Sequence, residues 1–105
     1  MDFEKIKPAV KKYLKKVKQD LKVEKVILFG SFAKGKTKED SDVDLIVISS
    51  SFAKMDDDER LRFLYRKSVG FPYNLHVYGL TAEEFNSASP LTTLGEVKTQ
   101  GLLIS

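Results

Sequence analysis

The chain has 105 residues, 42% of them hydrophobic and 31% charged, which is the size and composition of one globular domain over residues 1–105 and excludes a disordered chain. Having no cysteine, it has no disulfides, thiolate zinc sites or cysteine nucleophiles. With no membrane-length apolar run and no signal-peptide core after its charged start, a cytoplasmic protein away from membranes is expected. The net charge of +3 is unevenly spread. Residues 1–38 carry twelve lysines against Asp2, Glu4, Asp20 and Glu24, a balance of +8, and the remainder carries six basic and eleven acidic residues, a balance of −5. Such asymmetry suits a polyanion that arrives with metal ions, and suits a solvated lysine-rich helix equally.

Phe3, Ile6, Val10, Tyr13, Leu14, Val17 and Leu21 recur at three- and four-residue steps and predict an amphipathic helix. Pro8 is expected in its first turns, where a missing N–H costs little. "KVILF" (25–29) is a short β-branched run stopped by Gly30, read as a buried strand, and "SDVDLIVISS" (41–50) is a second strand, polar at its start. "MDDDERLRFLYRKSV" (55–69) predicts a helix with its acids first and bases last, matching the helix dipole, and with Leu61, Leu64 and Tyr65 as its apolar stripe. In "PYNLHVYGL" (72–80), Tyr73, Leu75 and Val77 alternate with Asn74, His76 and Tyr78, a strand pattern. Thr81 and Glu84 form a capping box for a short helix. Ser89-Pro90 opens another, with Leu91, Leu94 and Val97 inward. Gly101 ends it, and "LLIS" adds a last strand. The predicted class is α/β: a small mixed sheet flanked by helices.

One stretch, "FGSFAKGKTKEDSDVDL" (29–45), fits two nucleotide signatures at once. Gly30 to Thr37 spells G-x-x-x-x-G-K-T, a phosphate-cradling P-loop. Gly30-Ser31 and Asp42-Val43-Asp44 spell G-S-x10-D-x-D. A P-loop needs a helix directly after its lysine and threonine, whose N-terminal amides hold the phosphates. Here Lys36-Thr37 is followed by "KEDSD", with no apolar residue before Val43, so no helix with a buried face starts there. The second signature has its context. A strand ends at Gly30, where a missing side chain lets backbone approach a phosphate, and Ser31 adds a hydroxyl and an amide. Residues i and i+2 of a strand face one side about 6.6 Å apart, so Asp42 and Asp44 can converge on ions about 3.5–4 Å apart. Mg²⁺ takes oxygen ligands and keeps waters and substrate phosphates, so two or three carboxylates suffice.

These residues, the strands around them and the later "YNLHVYGLTAEEF" resemble the minimal nucleotidyltransferases of the DNA polymerase β superfamily. The resemblance spans most of the chain and implies a polymerase β-like fold. It also implies that Asp42 and Asp44 are catalytic and hold Mg²⁺, with two ions when nucleotide is bound. Gly30 and Ser31 would bind the nucleotide, ATP or another triphosphate. A hydroxyl would attack the α-phosphorus and expel pyrophosphate. Relatives include antitoxins that transfer AMP to tyrosines of HEPN-type ribonuclease toxins, which implies a HEPN-like partner, and enzymes that modify antibiotics. The sequence departs from the family where a third carboxylate belongs. Asn74 takes that position, keeping the shape and losing the charge and basicity. His76, two residues on, can supply a base.

Plainer readings stand beside these. Asp42 and Asp44 without a cation are a repelling pair at a strand mouth. Asn74 and His76 fit the polar face of an edge strand. Asp56, Asp57 and Asp58 do not share a helix face, so they read as a helix start rather than a metal cluster. Tyr65 and Tyr78 are modification targets or ordinary packing. Three functions follow in order: an Mg²⁺-dependent nucleotidyltransferase, a catalytically weakened nucleotide-binding interaction protein, and a nucleic-acid binder using the lysine-rich helix. The last is disfavoured because no aromatic reading surface is interleaved with the lysines.

Overall fold

The computed structural model describes residues 3–30, 32, 42–87 and 101–105. Helix α1 spans Phe3–Asp20 and buries Ile6, Val10, Tyr13, Leu14 and Val17, the face its periodicity predicted. Pro8 lies in the first turns, as expected, yet its missing N–H is not without cost. It is the sixth residue of the helix, so its ring removes the bond that an N–H there would give to the Glu4 carbonyl. Strand β1 is Lys25–Phe29 and β2 is Val43–Ile48. A 3₁₀ helix, Ser50–Lys54, leads to helix α2, Asp57–Arg66. Strand β3 (Leu75–Leu80), helix α3 (Ala82–Asn86) and a two-residue strand β4 (Leu102–Leu103) complete the order. The helix expected from Ser89 lies outside the described residues, whereas the last strand is present. Among the described residues no helix is long and apolar enough to cross a membrane.

The sheet runs β3-β2-β1-β4. β1 pairs antiparallel with β2 and β4, and β2 pairs parallel with β3, so the sheet is mixed. The parallel pair requires a crossover, which the 3₁₀ helix and α2 supply. Strand alternation sorts the side chains onto two faces. Val26, Leu28, Val43, Leu45, Val47 and Val77 pack with α1, Phe52 and Leu64 in the main core. Ile27, Ile46 and Ile48 form a smaller cluster on the other face, with Phe29, Leu80 and Phe85 against it. Asp44, His76 and Tyr78 share this second face by parity.

Polar contacts fix the helices. Tyr13 Oη donates to the Leu64 carbonyl at 2.8 Å, joining α1 to α2. Asp56, the first of three consecutive aspartates, caps α2 by accepting from the Glu59 N–H at 2.8 Å. Both bonds of the Thr81/Glu84 capping box form. The apolar stripe of α2 differs from the expected one. Arg60 and Leu64, one turn apart, are its buried residues, while Leu61 is half-buried and Tyr65 is 41% exposed. Arg60 Nε donates to the Met55 carbonyl at 3.1 Å. Its Nη1 donates to the Gly79 carbonyl at 3.2 Å and to Glu84 Oε1 at 2.7 Å. The guanidinium also lies 5.7 Å from the Phe52 ring centroid. A buried charge is tolerated where it is paired and hydrogen-bonded, and this one ties α2, β3 and α3 together.

Candidate active site

The end of β1 and the starts of β2 and β3 meet at one edge of the sheet. The register sets Phe29 beside Asp44 and Asp44 beside His76. Gly30 follows Phe29 with φ of +71°, the left-handed region that glycine enters without strain. It has a second reason to be glycine. A Cβ there would overlap Asp44 Oδ2 and stand 3.1 Å from Asp44 Cγ. The carboxylate therefore lies directly on the Gly30 backbone. That contact is the expected glycine corner, with the acid rather than a phosphate as its first neighbour. Phe32, two residues beyond, is buried in the helix-side core. Ser31 and residues 33–41, including Lys36 and Thr37, lie outside the described residues.

Asp42 immediately precedes β2, which begins at Val43 rather than at residue 41. Its Oδ2 lies 3.0 Å from His76 Nε2, with both side chains half-exposed. Burial pushes the Asp44 carboxyl above the usual carboxylate range. The neighbouring His76 opposes that shift and the like charge of Asp42 adds to it. Asn74 stands just before β3 and uses its backbone carbonyl to accept the Val43 N–H at 2.8 Å. The structure thus brings Gly30, Asp42, Asp44, Asn74 and His76 to one edge. Sequence reading missed the direct His76–Asp42 contact, because it follows from the parallel register of β2 and β3.

The donor set fits a hard divalent cation. Asp42 and Asp44 offer oxygens two residues apart, and Asp44, desolvated and repelled by Asp42, is favoured by positive charge between them. Among the described residues no group of three histidine, aspartate or glutamate side chains is arranged to hold a metal ion. Two carboxylates alone leave most of an octahedral shell to water and substrate oxygens, which is how Mg²⁺ is usually held beside phosphates.

Residues 10–97 match the nucleotidyltransferase domain family. The chain belongs to that family. No curated protein gives a significant sequence match. Solved structures do share the nucleotidyltransferase domain's shape. A Sulfolobus solfataricus protein, itself only provisionally assigned as a nucleotidyltransferase, superposes with a TM-score of 0.71 at 19% identity. The match covers 94% of this chain and 78% of that one. A toxin–antitoxin complex with AMP-PNP gives 0.65 at 22% identity, over 89% of this chain and 69% of that one. A complex of a tri-AMPylated Shewanella oneidensis HEPN toxin with its MNT antitoxin gives 0.61 at 20% identity, over 93% and 70%. At these identities the likeness is one of fold. It agrees with the expected polymerase β-like architecture, and the family match makes nucleotidyl transfer the activity class.

Proposed function

We propose that this nucleotidyltransferase domain moves a nucleoside monophosphate, AMP from ATP, onto a hydroxyl of a partner protein in an Mg²⁺-dependent reaction. The observation that carries the reading is the Asp44 carboxylate packed on Gly30 with Asp42 two residues before it. The AMP-PNP in one structural relative and the AMPylated HEPN toxin held by another support ATP as donor and a HEPN-like chain as partner. Mg²⁺, when bound, supplies charge neutralisation for the triphosphate and the leaving pyrophosphate. Asp42 and Asp44 hold it. Gly30, which has no side chain of its own, and Ser31 would seat the phosphates. The acceptor oxygen bonds to the α-phosphorus as the bond to the β-phosphate oxygen breaks, and pyrophosphate leaves. The acceptor's proton needs a base, and Asn74 is not one. His76, whose Nε2 lies 3.0 Å from Asp42 Oδ2, is the imidazole beside the acid pair and takes that role in the proposal.

The test is α-labelled ATP with Mg²⁺ and a HEPN-like protein encoded beside this chain. Label on the partner, lost with Asp42→Asn or Asp44→Asn, is the expected result. No transfer by the natural protein would remove the proposal.

A second reading has its own support in Asn74. With asparagine in place of the third carboxylate, the domain binds nucleotide and partner and turns over slowly. Asn74→Asp then raises transfer from a low baseline. A natural protein that already reacts briskly, and is slowed by the substitution, contradicts this reading.

A further inference from the structure

The sheet face that carries the acid pair also carries an aromatic pair. Phe29 precedes Gly30 and sits beside Asp44 in the β1–β2 register. Tyr78 sits beside Ile46 in the β2–β3 register, two residues beyond His76. The two rings therefore lie diagonally across β2, one on each side of the Asp44–Ile46 column. Their centroids are 6.3 Å apart with planes at 39°.

The rings differ in exposure. Phe29 is half-buried and rests on the Ile27, Ile46 and Ile48 cluster. Tyr78 is 45% exposed, although its strand neighbours Val77 and Gly79 are buried. Core packing does not use it fully, and among the described residues its hydroxyl makes no hydrogen bond. Tyr13 and Tyr65, by contrast, donate to the Leu64 and Leu75 carbonyls. Tyr78 is thus an aromatic surface buttressed by Phe29, left open to solvent on the face of the carboxylates. An exposed ring of this kind binds flat π systems, and stacks every base without reading its identity.

We infer that Phe29 and Tyr78 form a stacking platform for the nucleobase of the donor triphosphate. The inference rests on the proposed function, which seats the phosphates at Gly30. Phe29 is covalently next to that seat, so the ribose and base attached to the phosphates have an aromatic surface within reach. Every donor carries a base, whatever acceptor is used. Stacking without hydrogen-bond readout gives affinity for nucleotides as a class and weak discrimination among them.

The experiment is calorimetry with Mg²⁺–ATP and with Mg²⁺–tripolyphosphate, which has the phosphates and no base. The natural chain is compared with Tyr78→Ala and Tyr78→Phe. Thermal unfolding checks that both variants are folded, as the exposure of Tyr78 leads one to expect. The natural chain should bind ATP more tightly than tripolyphosphate. Tyr78→Ala should weaken ATP about tenfold and leave tripolyphosphate unchanged, and Tyr78→Phe should restore the difference. Equal loss for both ligands, or no loss for ATP, overturns the platform while leaving the phosphate seat standing. If the natural chain binds neither ligand, the seat fails and the platform with it. If instead Tyr78→Ala raises the KM for a protein acceptor and leaves ATP affinity alone, the rings serve the acceptor and the assignment to the nucleobase is wrong.

Discussion

Replacing Gly30 by alanine separates a backbone effect from a site effect, because Gly70 supplies the control. Both glycines have positive φ, +71° and +89°. At Gly70 an added Cβ meets nothing within 4 Å, whereas at Gly30 it runs into the Asp44 carboxylate. The shared cost is that of holding a side chain in the left-handed region, about 1–2 kcal/mol. Gly70→Ala should show that cost alone. At about 4–8 °C per kcal/mol for a domain of up to about 100 residues, it lowers Tm by roughly 5–15 °C. Gly30→Ala should show it together with a displaced Asp44. The displacement moves a ligand rather than opening a core cavity, so its main signature is in binding. Mg²⁺–ATP affinity should fall at least about tenfold, the lower end of what disturbing a metal ligand's support costs, while Gly70→Ala binds as the natural chain does. Circular dichroism melting and calorimetry on the two variants suffice. A Gly30→Ala protein that binds Mg²⁺–ATP with natural affinity would refute the argument that the glycine is there to admit the carboxylate.

The remaining predictions concern charge. Without metal, Asp44→Asn should raise stability slightly, on the order of 0.5 kcal/mol by melting, because it removes a desolvated charge next to Asp42, while abolishing the gain that Mg²⁺–ATP gives the natural chain. Arg60→Met should cost about 3 kcal/mol in denaturant unfolding, since it keeps the stem and leaves the Met55 and Gly79 carbonyls without their donor. The Arg60 hydrogen bond, more than any other contact, holds the Glu84 carboxyl below the usual carboxylate range. Its contribution is therefore present above the ordinary carboxylate pKa and lost as pH falls through the lowered folded value. Glu84→Gln should flatten that acid limb of a Tm-versus-pH curve. The change should stay below about 1 kcal/mol, because the Glu84 side chain is 44% exposed.

Much of this was legible in order of locality. The face of α1, the apolar β1, the acid-first start of α2 and the Thr81/Glu84 box all depend on neighbours within a turn or a pleat, and each stands where its pattern put it. Gly30, Asp42 and Asp44 stand out in the sequence as a spaced pattern, and the structure sets them at adjoining strand ends. Features set by register or crossover were not. Arg60 reads as an exposed helix position, and only the packing of α2 against β3 brings it to the Gly79 carbonyl and to Glu84, 24 residues away. The His76–Asp42 contact needs a parallel pairing that no local pattern encodes. Ser31, on which part of the phosphate seat depends, lies outside the described residues.

A crystal structure grown with Mg²⁺ and a non-hydrolysable ATP analogue addresses the acid pair directly. Cation density bridging Asp42 and Asp44 to the analogue's phosphate oxygens, with the phosphates against Gly30, is the predicted result. An analogue bound elsewhere, or phosphates at Gly30 with both carboxylates turned away and no cation between them, would contradict it.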